Sequence, residues 1–140
     1  MTFASDVAKW QKETEKRIDK QVRAITLGLF RDVILMSPVG NPTLWKHKAP
    51  KGYVGGRFRA NWNTSVGSPV LDTTTRVDPS GAFAIGNAAS NMGGAGTVTY
   101  MSNGLPYGQR LEYQGWSKQA PAGFVRVNVA RYAEMKVIPT

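Results

Sequence analysis

The run IDKQVRAITLGLFRDVILM, Ile18 to Met36, sets Ile18, Val22, Ile25, Leu29, Val33 and Met36 at spacings of 4, 3, 4, 4 and 3. That is one stripe of an amphipathic α-helix. Val7, Trp10 and Thr14 extend the stripe backwards, and Ser5 followed by Asp6 offers an N-cap and an acid suited to the first turn. Ser37-Pro38 closes it, because proline disfavours helical geometry in the residue before it. A helix over residues 5–36 is about 48 Å long at 1.5 Å per residue, more than a small core can cover. The charged first half is expected to project, to break near Thr14 or to pack on another subunit, with Gly28 a second weak point. Ile18, Val22, Ile25, Leu29 and Val33 are expected to be buried on a sheet carrying Trp62 and Tyr100, so that Ile25→Ala would cost about 2–5 kcal/mol.

Beyond this helix the chain reads as one domain of 140 residues. Residues 37–56 form a loop with prolines at 38, 42 and 50 and glycines at 40, 52, 55 and 56. Residues 57–140 then carry a sheet and short helices. Strand-like runs lie at Asn61 to Val66, Ala82 to Ile85 and Thr97 to Ser102, with Asn91 to Gly96 reading as a hairpin tip. Pro106 to Gln114 reads as a short helix ended by Gly115. Phe124 to Tyr132 fits either a strand or a helix, since Val125, Val127 and Val129 alternate while Val125, Val129 and Tyr132 share a helical face. The fold class expected is α+β: a long N-terminal helix on a small antiparallel sheet, with a short helix and a C-terminal helix.

Composition removes most chemistry. The chain has no cysteine and one histidine, His47, so thiolate metal sites, cysteine nucleophiles and disulfides are excluded. The glycine-rich run Asn91 to Gly96 lacks the Gly-Lys-Ser/Thr ending of a phosphate-binding loop, and there is no G-x-S-x-G. The acids outside the first helix, Asp72, Asp78, Glu112 and Glu134, are scattered. No enzyme, no cofactor and no metal are expected. The longest apolar stretch, Val33 to Met36, cannot span a bilayer, and the N-terminus lacks the apolar core of a secretory signal. A cytoplasmic protein is expected.

What remains is charge and aromatics. Eighteen bases against nine acids leave a net charge of +9, and residues 1–36 hold seven of the bases and five of the acids. Lys46, Lys48, Lys51, Arg57 and Arg59 fall between Leu44 and Arg59 with no acid among them. Such a patch attracts phosphate backbones or acidic protein surfaces. With the anchors Leu44 and Trp45, the residues Lys46, His47, Lys48 and Lys51 form a candidate surface for a neighbouring subunit or for DNA. Two dense segments, Gly55 to Trp62 and Tyr107 to Ser117, contain Arg57, Phe58, Arg59, Trp62, Tyr107, Leu111 and Glu112. The aromatics read as core filling. Glu112, a lone acid in this setting, is expected to bond to Arg57, Arg59 or Arg110.

The order Ser37-Pro38-Val39, Gly56-Arg57-Phe58-Arg59-Ala60-Asn61-Trp62, Tyr100-Met101-Ser102-Asn103-Gly104-Leu105-Pro106-Tyr107, Leu111-Glu112-Tyr113 and Ala120-Pro121-Ala122-Gly123 resembles the neck or tail-completion proteins of long-tailed bacteriophages, the broad group that includes the minor tail protein Z of phage lambda. Residues 40–55 stand as an insertion relative to that pattern. The resemblance implies a structural virion protein, made in the host cytoplasm and working in a ring at the head–tail junction or upper tail. Its partners would be copies of itself and other neck and tail proteins, with packaged DNA near the channel. It also favours a helix after Gly123. The alternative reading is a small basic nucleic-acid-binding protein that uses residues 44–59.

Overall fold

Thr2 opens the first element: its hydroxyl accepts from the Ser5 N–H, and helix α1 runs unbroken through Thr14 and Gly28 over Phe3–Met36. The cap therefore falls three residues before the expected Ser5. The structure, a computed structural model, describes residues 2–134; residue 1 and residues 135–140, the end of the expected 57–140 region, lie outside the described residues.

The last turn of α1 has no basic residue of its own to meet its free carbonyls. Arg59 supplies the charge from elsewhere in the chain, donating to the carbonyls of Leu35 at 2.6 Å, Ser37 at 2.9 Å and Pro79 at 2.6 Å. Burial pulls the Arg59 pKa below the ordinary guanidinium value, and the negative charge of Asp78 opposes that shift. Arg59 sits in the short helix α2 (Arg57–Ala60), which leads through Asn61 into strand β1 (Trp62–Val66). Gly56 precedes α2 at φ 112°, and a Cβ there would lie 2.6 Å from the Pro79 backbone nitrogen. Gly56→Ala is expected to cost about 2 kcal/mol, from both the left-handed backbone and the clash. A shift in the denaturant midpoint would measure it.

Strand β2 (Thr99–Asn103) pairs antiparallel with β1, Trp62 opposite Asn103 and Ser65 opposite Tyr100. Between them lies helix α3 (Ala82–Asn91) rather than the expected strand at Ala82 to Ile85. The segment is rich in alanine, the strongest helix former. Ala84 and Ala88, one turn apart, are buried, and the Asp78 carboxylate accepts from the Ala84 N–H at 3.0 Å. The run after α3 is likewise no hairpin tip. It crosses to α1, where Ala95 N–H donates to Asp19 at 3.0 Å and Arg23 donates to the Met92 carbonyl at 3.3 Å. The Arg23 hydrogen bond holds the Asp19 carboxyl below its ordinary value, against a smaller opposing effect of burial.

Helices α4 (Gly108–Tyr113) and α5 (Val125–Tyr132) complete the fold, so the ambiguous C-terminal run is helical. The core joins Val33 and Ile34 of α1 to Phe58, Trp62, Ala84, Leu105, Ala120 and Phe124. Phe58 meets Trp62 and Phe124 edge-on at 5.7 and 5.4 Å, and the Trp62 indole N–H donates to the Ser37 hydroxyl at 2.9 Å. The architecture is α+β as expected.

One expectation about α1 needs correction. The helix packs chiefly on α3 and α5, not on the sheet. Val33 is fully buried, while Ile18, Val22, Ile25 and Leu29 are only half-buried. The 34 residues of α1 span about 51 Å, and its N-terminal third extends past the other elements, with residues 2–13 all exposed. Tyr100 is exposed because the register puts it on the face opposite Trp62. Ile25→Ala is accordingly expected to cost about 1 kcal/mol, half the burial value or less; a loss above about 2 kcal/mol in urea unfolding would contradict this placement.

Candidate functional site

The basic loop between α1 and α2 closes on itself at its base. A Cβ on Gly55 would strike the Gly40 carbonyl, so the two strands of backbone pass in direct contact. Asn41 organises the start of the loop, its side-chain oxygen accepting from Thr43 N–H at 3.1 Å at the head of a single 3₁₀ turn, Pro42–Leu44. Trp45 then folds back on Tyr53, with ring centroids 4.8 Å apart.

Beside this pair lies a cavity of about 330 Å³. Its lining joins Leu44, Trp45 and Tyr53 of the loop to Phe58, Tyr107 and Trp116. Gln119 ties the two sides together, accepting from Val39 N–H at 3.1 Å and donating to the Val39 carbonyl at 2.6 Å. Arg57 and Lys118 also line the cavity, and among the described residues no carboxylate does. Burial pushes the Tyr107 hydroxyl above its ordinary pKa, partly countered by the charge of Arg57. Trp116 is held by Arg110, whose guanidinium lies 4.6 Å from the indole ring.

Of the residues the sequence proposed for an interface, the cavity collects Leu44 and Trp45. Lys46, His47, Lys48 and Lys51 are exposed on the loop and stand outside the lining. Trp45 is 42% exposed with Tyr53 against it, so its own domain gives it partial cover. Tyr53, Trp116 and Lys118 complete the site without having been assigned to it. Seven residues lie between Trp45 and Tyr53 and no periodicity links them, so only the folded loop brings them together.

The motif residues divide between core and joints. Phe58 and Trp62 are core, Tyr107 and Leu111 pack against it, Arg59 caps α1, and Arg57 donates to the Thr74 carbonyl at 3.2 Å. Glu112 contradicts its expected pairing. It is buried, and it accepts from the N–H groups of Phe124, Val125 and Arg126 at 2.8–3.0 Å and from the Arg126 guanidinium at 3.1 Å. It serves as the remote N-cap of α5, where three amides at a helix start outcompete distant arginines for a carboxylate. A partner was required, as burial demands, and it came from the next helix.

A second feature lies at the other end of α1. Phe3, Val7 and Trp10 are exposed by 85%, 43% and 62%. At 100° per residue they fall with Thr14 within about 60° of arc, and Asp6 and Glu13 flank them on one side. Lys9, Lys12 and Lys16 occupy the opposite half of the helix. Among the described residues no cluster of three or more His, Cys, Asp or Glu side chains could hold a metal ion, and no helix is long and apolar enough to cross a membrane. No protein-family model, curated protein or solved structure matches the chain.

Proposed function

We propose that this protein is a structural, non-enzymatic virion component of the neck or upper tail of a long-tailed bacteriophage, assembling as a ring at the head–tail junction. It would be made in the host cytoplasm and serve tail completion or head–tail joining. The observation that carries the proposal is the N-terminal third of α1, which leaves the body of the domain with an apolar stripe exposed. Such a stripe needs a partner that a single chain does not supply. A closed ring needs two different complementary faces on each subunit, and the aromatic cavity beyond the other end of the helix offers the second. The ordered motifs from Ser37 to Gly123 support the same reading through their resemblance to neck proteins.

The basic loop favours a second reading. Lys46, His47, Lys48 and Lys51 stand exposed near the Trp45–Tyr53 pair, a combination that also suits a nucleic-acid-binding protein. Light scattering after size-exclusion chromatography, with electron microscopy of the peak, tests the two. Rings of the chain, alone or on purified tails, are the expected result. A monomer that joins no tail component and instead binds DNA in a strongly salt-dependent way would reverse the order of the readings. In a joining assay, deletion of residues 41–51 is expected to reduce attachment of heads to tails at least about tenfold. Full joining by the deleted chain would show the loop to be a solvated insertion.

A further inference from the structure

We propose that the exposed tip of α1 docks into the aromatic cavity of a second copy of this chain, so that subunits join head to tail. The inference rests on the ring reading and names the contact that would build it.

Three observations converge. The tip presents Phe3, Val7 and Trp10 exposed on one face, and Trp10 belongs to the residue types that dominate binding hot spots. The cavity is walled by Trp45, Tyr53 and Trp116 and is open to solvent, with both tryptophans more than two-fifths exposed. Charge then selects the pairing. Asp6 and Glu13 border the apolar face of the tip while Lys9 and Lys12 lie behind it; Arg17 shares that flank only at the far end of the stripe, where it donates to Thr14, and Asp6 is the one charged side chain in residues 3–8. The cavity offers Arg57 and Lys118 and, among the described residues, no acid. An acid-flanked aromatic face meets a cation-lined aromatic pocket, which fixes the orientation of docking.

Geometry makes the contact intermolecular. The cavity begins at Pro38, immediately after α1 ends, and the tip begins at Phe3. An unbroken helix of about 51 Å separates them, so no chain can fill its own cavity. The two surfaces differ, so the contact is heterologous and propagates until a ring closes.

The test uses the full chain in sedimentation velocity over a concentration series, with circular dichroism to verify folding. Trp10→Ala and Asp6→Lys alter exposed positions on the tip; Trp116→Ala and Lys118→Glu alter exposed positions at the cavity. Each is expected to raise the concentration for half-assembly at least about tenfold. Asp6→Lys combined with Lys118→Glu is expected to recover much of that loss. Mixing Trp10→Ala with Trp116→Ala chains is expected to stop at a dimer, because only one good tip meets one good cavity. Rings unchanged by the tip variants would overturn the docking while leaving the ring reading intact. Loss of assembly on tip substitution alone, with Trp116→Ala and Lys118→Glu neutral, would mean that helices pair tip to tip and would also overturn it. A chain monomeric at every concentration that still joins heads to tails would reject copy-to-copy docking and keep the neck reading. Binding of a single-stranded oligonucleotide that Trp116→Ala abolishes, with assembly unaffected, would assign the cavity to nucleic acid instead.

Discussion

Glu112→Ala is expected to lower the unfolding free energy by about 3–5 kcal/mol, because it strips the acceptor from three backbone N–H groups and a guanidinium at once. Helix α5 has eight residues, too short to hold together unaided. Its far end is tied to α1 by Arg131 and Tyr132, which both donate to Asp32, and its near end depends on this carboxylate. Glu112→Gln keeps one acceptor oxygen and is expected to cost about 1–2 kcal/mol. The wild type should also show an acid signature. Burial alone would push Glu112 upward, but the amides of Phe124, Val125 and Arg126 together with the Arg126 side chain outweigh it and hold the carboxyl below its ordinary value of 4.5. The folded state therefore binds this proton less readily than the unfolded chain. The stabilisation is complete above pH 4.5 and is lost as the pH falls through the lower folded-state value. Urea midpoints measured from neutral pH down to pH 3 should fall more steeply for wild type than for Glu112→Gln; equal slopes would show that the charge at Glu112 contributes nothing.

Phe124→Ala is expected to cost about 3–5 kcal/mol through lost burial and the cavity left behind. Phe124 is 1% exposed and lies 5.4 Å from Phe58 and 6.3 Å from Trp62, ring centre to ring centre, so three aromatics meet at one point. Removing it leaves a hole between Phe58 and Trp62 at the centre of the core. Phe124→Leu, which refills most of the space, is expected to lose about 1.5 kcal/mol or less. Denaturant unfolding of both variants checks the pair of values, and an alanine variant within about 0.5 kcal/mol of wild type would place Phe124 outside the core.

These two residues also show where sequence reading ends. Local signals were legible: the 3–4 spacing of α1, Ser37-Pro38 as its stop, the α4 helix before Gly115 and the two strands that pair. The failures came from tertiary partners. Ala82 to Ile85 is too short a window to separate strand from helix, and its helix is secured by Asp78, a residue four positions upstream of Ala82. The carboxylate of Glu112 was rightly expected to need a partner. No spacing rule shows that the start of α5 would reach it before Arg57, Arg59 or Arg110. The cavity was half visible, through Leu44 and Trp45, because its other wall is assembled from positions some sixty to seventy residues away.

The contact of Gly40 with Gly55 has a consequence for how such a surface changes over time. Because the chain leaves and re-enters the body at one point, the residues between are a cassette. Their number can grow or shrink at small entropic cost, since loop closure depends only on the logarithm of length. None of the buried core residues belongs to the cassette, yet Trp45 and Tyr53, one wall of the cavity, do. Under the docking proposed above, partner choice drifts by rewriting a dozen residues while the scaffold stays constant, and one neighbour is traded for another without passing through an unfolded intermediate.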